Sequence, residues 1–284
     1  MTCKFIAEVS SNHNASFARC IQSIDEASKA GFDAVKFQLF KVEELFCDEV
    51  LRSSPDHLAR KKWELNPEFI PDLAAHARSL NLEFGCTPFY LEAVDLISPY
   101  VDFIKVASYE LLWLELITRC AETNLPLILS TGMASLDEVD AAVEAFKGSG
   151  NGNLTLLHCV SVYPAEPESL NLSAIGELRN RFGCDIGWSD HTRNPFVIYR
   201  AVDRWKASHV EMHIDIDGNG SEYSAGHCYL ASEAGNVINA LKYRSIIDGS
   251  GIKEPSESEA IERLWRACPS DGKRPLRQIR SDIE

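Results

Sequence analysis

Two lysines stand where lysine is costly. Lys36 lies in the run Ala34–Leu39 and Lys105 in Phe103–Ser108, both otherwise apolar and β-type. A buried ammonium without a counter-charge is strongly unfavourable, so each needs a partner. One possibility is a structural ion pair with Glu8 or Glu110. The other is an anionic ligand bearing phosphate and carboxylate, around which Thr87, Ser108, Ser130, Thr131 and Ser189 would add neutral donors. Hydroxyl residues at such positions also commonly cap helices. A second constellation contains two histidines. Side chains two apart along a strand share a face. Lys36 therefore points with Gln38, Ser189 with His191, and Glu211 with His213. His191 and His213 end consecutive runs, near enough for one cation to bridge them. Singly, each suits a hydrogen-bonded core histidine. Together, with Asp190 and Glu211 beside them, they suit a divalent transition metal.

The elements that must position these groups are eight short runs: Phe5–Val9, Ala34–Leu39, Leu82–Thr87, Phe103–Ser108, Pro126–Ser130, Leu154–Cys159, Asp185–Ser189 and His209–Ile214. Nearly all end in a polar or ionisable residue. Helical stretches separate them: Phe17–Gly31, Pro67–Leu80, Ser135 to Lys147 behind a Ser135/Glu138 capping box, Ser173–Phe182, Pro195–Trp205 and Ala231–Ile247. Polar strand ends repeated eight times predict an α/β fold, a (β/α)8 TIM barrel whose active site lies at the C-terminal strand ends. Residues 1–252 are expected to form the barrel. Residues 253–284 are expected to be a short C-terminal extension, basic through Arg263, Arg266, Lys273, Arg274, Arg277 and Arg280, and not a separate domain.

The chain has 284 residues, 45% of them hydrophobic, and a formal net charge of −14. That acidity argues against nucleic-acid or anionic-membrane surfaces, which need a basic footprint, yet leaves room for an anion held by a few internal lysines. Nine scattered cysteines make a poor disulfide framework and point to reduced thiols in the cytoplasm. The start of the sequence runs directly into a strand without the apolar region of a signal peptide. No P-loop, GxGxxG or GxSxG pattern occurs.

In register along the chain stand Ile6-Ala7-Glu8-Val9 with Asn12-His13-Asn14, Val35-Lys36-Phe37-Gln38, Cys86-Thr87-Pro88-Phe89, Ile104-Lys105-Val106-Ala107-Ser108, Leu129-Ser130-Thr131-Gly132-Met133, Leu157-His158-Cys159 with Tyr163-Pro164, Ser189-Asp190-His191-Thr192 and Glu211-Met212-His213. This series resembles the sialic acid synthase family. The resemblance implies condensation of phosphoenolpyruvate with an N-acetylated amino sugar to a nonulosonic acid and phosphate. It implies that His191 and His213 bind a divalent metal, typically Mn2+, with Mg2+ or Co2+ as alternatives. It implies further that Lys36, Thr87, Lys105, Ser108, Ser130 and Ser189 hold phosphoenolpyruvate. Glu8, Gln38, Glu110, Tyr163 and Glu211 match positions near the reacting carbons or the sugar. Ser161 stands where relatives carry asparagine or serine. Glu8, Glu211, Lys36 and Lys105 are the expected catalytic set, and a homodimer is expected.

The sequence departs from that family at two places. The Gly-Pro-Asp loop that follows the last strand in the family is replaced by Gly220–His227, where Glu222 or His227 could stand in for the aspartate. The stretch from Lys253 is too short for the antifreeze-like domain common in relatives; it reads first as a solvated basic helix packed on an acidic barrel, and alternatively as a segment from which an arginine reaches an active site. Two other readings are a synthase making a shorter ulosonic acid and a non-catalytic sugar-binding barrel.

Overall fold

The structure is a computed structural model describing residues 3–150 and 152–282; Met1, Thr2, Asn151, Ile283 and Glu284, the outermost residues of both expected regions among them, lie outside the described residues. Eight strands run parallel: β1 (Lys4–Glu8), β2 (Ala34–Leu39), β3 (Glu83–Pro88), β4 (Phe103–Val106), β5 (Leu127–Ser130), β6 (Leu154–Cys159), β7 (Asp185–Asp190) and β8 (His209–Asp215). Each pairs with the next, and β1 also pairs with β8, which closes the expected TIM barrel. A two-residue strand, β9 (Tyr229–Leu230), adds to the far end of β8. The barrel helices are α1 (Phe17–Ala30), α2 (Ile70–Ser79), α3 (Leu91–Ile97), α4 (Leu114–Glu122), α5 (Leu136–Ser149), α6 (Ala174–Phe182), α7 (Pro195–Tyr199) and α8 (Ala231–Lys242).

Local chemistry sets the helix limits. Ser16 caps α1, and Gly31 ends it in the left-handed region at φ 85°, which glycine adopts without a Cβ clash. The Ser135/Glu138 capping box is present at α5. Three helices differ from the expected spans. Pro67–Phe69 forms a 3-10 turn before α2. A π-helical turn, Arg200–Arg204, continues α7. The last helix stops at Lys242, and a separate turn, Arg244–Asp248, follows. Leu241 is buried while Tyr243, Ile246 and Ile247 are exposed, so the burial that stabilises a helix face stops there.

The chain divides into two compact units, Met1–Leu241 and Lys242–Glu284. Within the second, Asp271 accepts hydrogen bonds from the Arg280 guanidinium, one of them at 2.9 Å, and lies 3.6 Å from Arg277. Part of the basic charge read in the sequence is thus answered inside that unit.

Two apolar layers build the barrel. The larger lies between the strands and the helices and includes Phe37, Phe84, Val106, Leu129 and Ile186. The smaller joins Ile6, Ala34, Phe103, Ile128 and Leu157. Each of these five stands two residues before a polar group, namely Glu8, Lys36, Lys105, Ser130 and Cys159. By strand alternation this cluster is the floor on which the site rests. The Phe103 ring fills the space a side chain at Gly85 would need, 2.2 Å from an ideal Cβ.

Candidate active site

Strand register brings the predicted residues together. Glu8 is level with Lys36 on one side and His213 on the other. Gln38 is level with Thr87, and Ser189 with Glu211. Glu8, Lys36, Lys105 and Glu211 are all buried. Lys36 Nζ contacts the Glu8 carboxylate directly, donates to Thr87 Oγ1 at 2.9 Å and lies 3.7 Å from Glu211 Oε2. Lys105 Nζ is 4.0 Å from Glu211 Oε1 and donates to the Val106 carbonyl at 3.1 Å. Ser189 Oγ donates to Glu211 at 2.9 Å, and the Ser10 amide donates to Glu8 at 2.7 Å. The ion pair with Glu8 that competed with the ligand reading is therefore present for Lys36, whereas among the described residues Lys105 has no carboxylate nearer than Glu211 at 4.0 Å.

Burial opposes the charge on Glu211, but Lys105 and Lys36 outweigh it and bring its carboxyl down to about 2. Burial lowers the Lys36 ammonium to about 8, with Glu211 opposing and Lys105 adding to the fall. Burial raises Glu110 to about 7, against the pull of Lys105.

Hydroxyls line one side. Ser108 Oγ accepts from the Gly132 amide at 3.0 Å and lies 3.2 Å from Cys159 Sγ, and Ser161 Oγ is 3.7 Å from the same sulfur. Ser130 Oγ and Glu110 Oε2 are buried without a hydrogen-bond partner among the described residues, an arrangement suited to a polar ligand. Gly132 leaves this space open, since a Cβ there would meet Ser161 Oγ at 2.2 Å and Ser108 Oγ at 2.8 Å. Thr131 is directed elsewhere and donates to the Leu157 carbonyl at 3.1 Å.

The histidines gather around Tyr163. Its ring centroid is 4.2 Å from that of His191 and 5.0 Å from that of His227, and the His191 and His213 centroids are 5.3 Å apart. His191 Nδ1 pairs with the Val160 carbonyl at 2.7 Å, and His213 Nδ1 with Glu222 Oε2 at 2.8 Å. Acceptors at both Nδ1 atoms fix a tautomer whose Nε2 lone pair is available to a cation, the usual surroundings of metal-binding imidazoles. Burial, then His213, lowers His191 to about 3, so its ring is neutral at ordinary pH. The residues fit a divalent metal. Glu222 and His227 complete a group with His213 whose ligand-type atoms all lie within 4.8 Å of one another.

Asp190 is not beside the histidines. Strand alternation turns it to the opposite face. There it accepts from Trp188 Nε1 and Thr192 Oγ1, each at 2.9 Å, and from the Thr192 and Arg193 amides at 3.2 Å, fixing the turn after β7. His158, in another of the motifs, also points outward, to the Leu170 carbonyl at 2.8 Å. Sequence reasoning missed Cys159 in the hydroxyl ring and the convergence of Ser11, His213 and His227 on Glu222. Period-two alternation signals the first; the second depends on how the loop after β8 folds.

Comparison with known proteins identifies the family. The profile of the NeuB family matches residues 23–253. The N,N'-diacetyllegionaminic acid synthases of Legionella pneumophila and Campylobacter jejuni are 35% and 33% identical over 278 and 268 residues; the matches cover 91% and 89% of this chain and 77% and 80% of theirs. The N-acetylneuraminic acid (sialic acid) synthetase of Leptospira borgpetersenii, solved in complex with citrate, has a TM-score of 0.80 at 29% identity, covering 92% of this chain and 90% of that one. With a family match over most of its length and a closed eight-stranded barrel, the chain is an enzyme of the NeuB family, the sialic acid synthase family that its sequence resembles.

Proposed function

We propose that the protein condenses phosphoenolpyruvate with the open-chain form of an aldose, an N-acetylated amino sugar, to give a nonulosonic acid and phosphate. The observation that carries this reading is the buried cluster of Lys36, Lys105, Glu8 and Glu211 beside Ser130 and Ser108, with three imidazoles at one edge. Lys105 and the hydroxyls of Thr87, Ser108, Ser130 and Ser189 hold the donor's phosphate and carboxylate, and Lys36 adds charge from its pair with Glu8. Gln38, Glu110, Ser161 and Tyr163 face the sugar. A divalent cation, Mn2+ in this reading, would be held by His191 and His213 and would polarise the sugar's carbonyl as a Lewis acid.

Carbon 3 of the donor forms the new bond to the sugar's carbonyl carbon. Positive character then develops at carbon 2, and the ionised Glu211 carboxylate is suited to stabilise it. Water adds at that carbon, and phosphate departs with cleavage of the C–O bond to leave the keto acid. The buried, mutually paired side chains are already oriented, so much of the rate enhancement comes from fixed geometry. The named relatives make N-acetylated acidic sugars, which supports the acceptor class. We take the barrel, residues 1–252, as the catalytic unit, with 253–284 as an extension, acting in a cytoplasmic homodimer. No helix among the described residues is long and apolar enough to cross a membrane.

A phosphate-release assay with phosphoenolpyruvate, Mn2+ and a panel of aldoses tests the reading, with product mass as the second readout. Release that requires an N-acetylated hexosamine supports it. Release only with shorter or phosphorylated aldoses moves the enzyme to another ulosonic acid, and no release with any aldose refutes the synthase assignment.

A further inference from the structure

The loop after β8 is the part of the site that departs most from the family pattern, and it is tightly built. Arg19 bridges Asp215 at 2.7 Å and Asp217 at 2.8 Å. Asn12 Nδ2 donates to the Ile214 carbonyl at 2.8 Å, and the Gly220 amide donates to Asp215 Oδ2 at 2.9 Å. Gly220 packs so closely that a Cβ would stand 2.4 Å from Asn12 Oδ1. The helical turn Ser221–Ala225 starts from that fixed point and carries Glu222 inward. The Glu222 carboxylate is then held from both ends. Oε1 accepts from Ser11 Oγ at 2.7 Å and from the Ser11 amide at 3.2 Å. Oε2 accepts from His213 Nδ1 at 2.8 Å, with His227 Nε2 at 3.7 Å.

We infer that Glu222 is a positioning residue for the metal centre: its carboxylate fixes the tautomer and ring orientation of His213, so that His213 binds the cation through Nε2. The inference rests on the metal-dependent reading under Proposed function and adds to it a residue supplied by this chain's own loop. His191 and His213 have the same arrangement, with an acceptor at Nδ1 and, among the described residues, no hydrogen-bond partner at Nε2, but the acceptors differ. His191 faces a neutral carbonyl, whereas His213 faces an anion. A carboxylate partner makes an imidazole more basic and offsets part of the cation's charge, which makes His213 the stronger ligand. Two other roles would use the same carboxylate differently. As a direct ligand, Glu222 would act in a set with His213 and His227. As a sugar contact, it would leave the metal unaffected. Its short bonds favour the positioning role, because Oε1 already accepts twice from Ser11 and Oε2 is turned to His213 Nδ1.

Calorimetric titration of the full chain with Mn2+ in the absence of substrates, repeated for Glu222→Gln, His227→Ala, His191→Ala and His213→Ala, tests this. Glutamine keeps the shape and a carbonyl acceptor but removes the charge. Glu222→Gln should weaken Mn2+ binding roughly 10- to 100-fold, with one ion still bound and the melting temperature of the metal-free chain little changed. His227→Ala should stay within a few fold of the parent. Unchanged Mn2+ affinity in Glu222→Gln with a raised acceptor KM would overturn the inference in favour of a sugar contact. Loss of binding in His227→Ala as complete as in His213→Ala would overturn it in favour of direct ligation. Failure of the metal reading looks different: the parent chain itself would bind no Mn2+ and would turn over fully in chelator.

Discussion

Replacing Lys105 by methionine removes the one lysine of the buried cluster whose nearest carboxylate is not in contact with it. Lys36 and Glu8 touch, whereas Lys105 stands 4.0 Å from Glu211. Unit charges at that separation attract by about 4 kcal/mol at an effective dielectric constant near 20. An anion seated against Lys105 gains an attraction of that order and gives up part of it to desolvation. Lys105→Met should therefore weaken phosphoenolpyruvate binding by about 2–5 kcal/mol, the range for a desolvated charge pair left half-made. That is at least about 30-fold in Kd. The acceptor's KM should move much less. Lys36→Met should show the opposite balance. It leaves Glu8 buried with the Ser10 amide as its remaining hydrogen-bond donor among the described residues, so stability should fall by about 3–5 kcal/mol. Calorimetry with the donor and thermal melts of both variants give the two numbers. An unchanged donor Kd in Lys105→Met, or a larger donor effect in Lys36→Met, would refute this division of roles.

Three further outcomes are expected. His191→Ala and His213→Ala should each abolish Mn2+ binding and turnover while the fold persists; full activity of either in chelator would remove the metal from the reaction. Glu110 titrates near 7 because it is buried, so its charge appears as pH rises through that value, close to Lys105. Donor affinity should fall across that range. Stability should fall too, because the unfolded chain gives up this proton near the ordinary glutamate value; what the raised pKa contributes is complete below that value and lost by about pH 7. Glu110→Gln should flatten both profiles. Gly132→Ala puts a methyl group among Ser108, Cys159 and Ser161; kcat/KM should drop on the order of 100-fold, with a stability cost of about 1–3 kcal/mol measured by denaturant titration.

Much of this site could be read from the chain because a strand has a simple geometry. Once Ala34–Leu39 is taken as a strand, Lys36 and Gln38 must share a face, and the same rule pairs Glu211 with His213. It also turns Asp190 away from His191, so its placement near the metal was an error that alternation alone could have corrected. What no local pattern contains is register between strands distant in sequence. Contact of Lys36 with Glu8, and not with Glu110, follows from the alignment of β1 with β2. The end of the last helix at Lys242 also escaped, because Tyr243, Ile246 and Ile247 continue an apolar pattern that the fold leaves exposed. Glu222 was visible as a candidate, but its partner on the β1 loop was not, since that contact depends on Arg19, Asn12 and Gly220 acting together.

The pairing of β1 with β8 has a consequence for how the protein is made. Glu8 is made before His213, and nearly the whole barrel must follow it before that neighbour exists. Until then β1 has an open edge, and the groups that would recognise substrate belong to strands that have not met. Such late, long-range closure is slow and exposes unpaired strand to aggregation. Because no half of the barrel contains the site, substrate binding reports ring closure itself. A ligand held by side chains from β2 round to β7 stabilises the folded form by mass action, so the cell's supply of donor would act on the folding yield of the enzyme that consumes it.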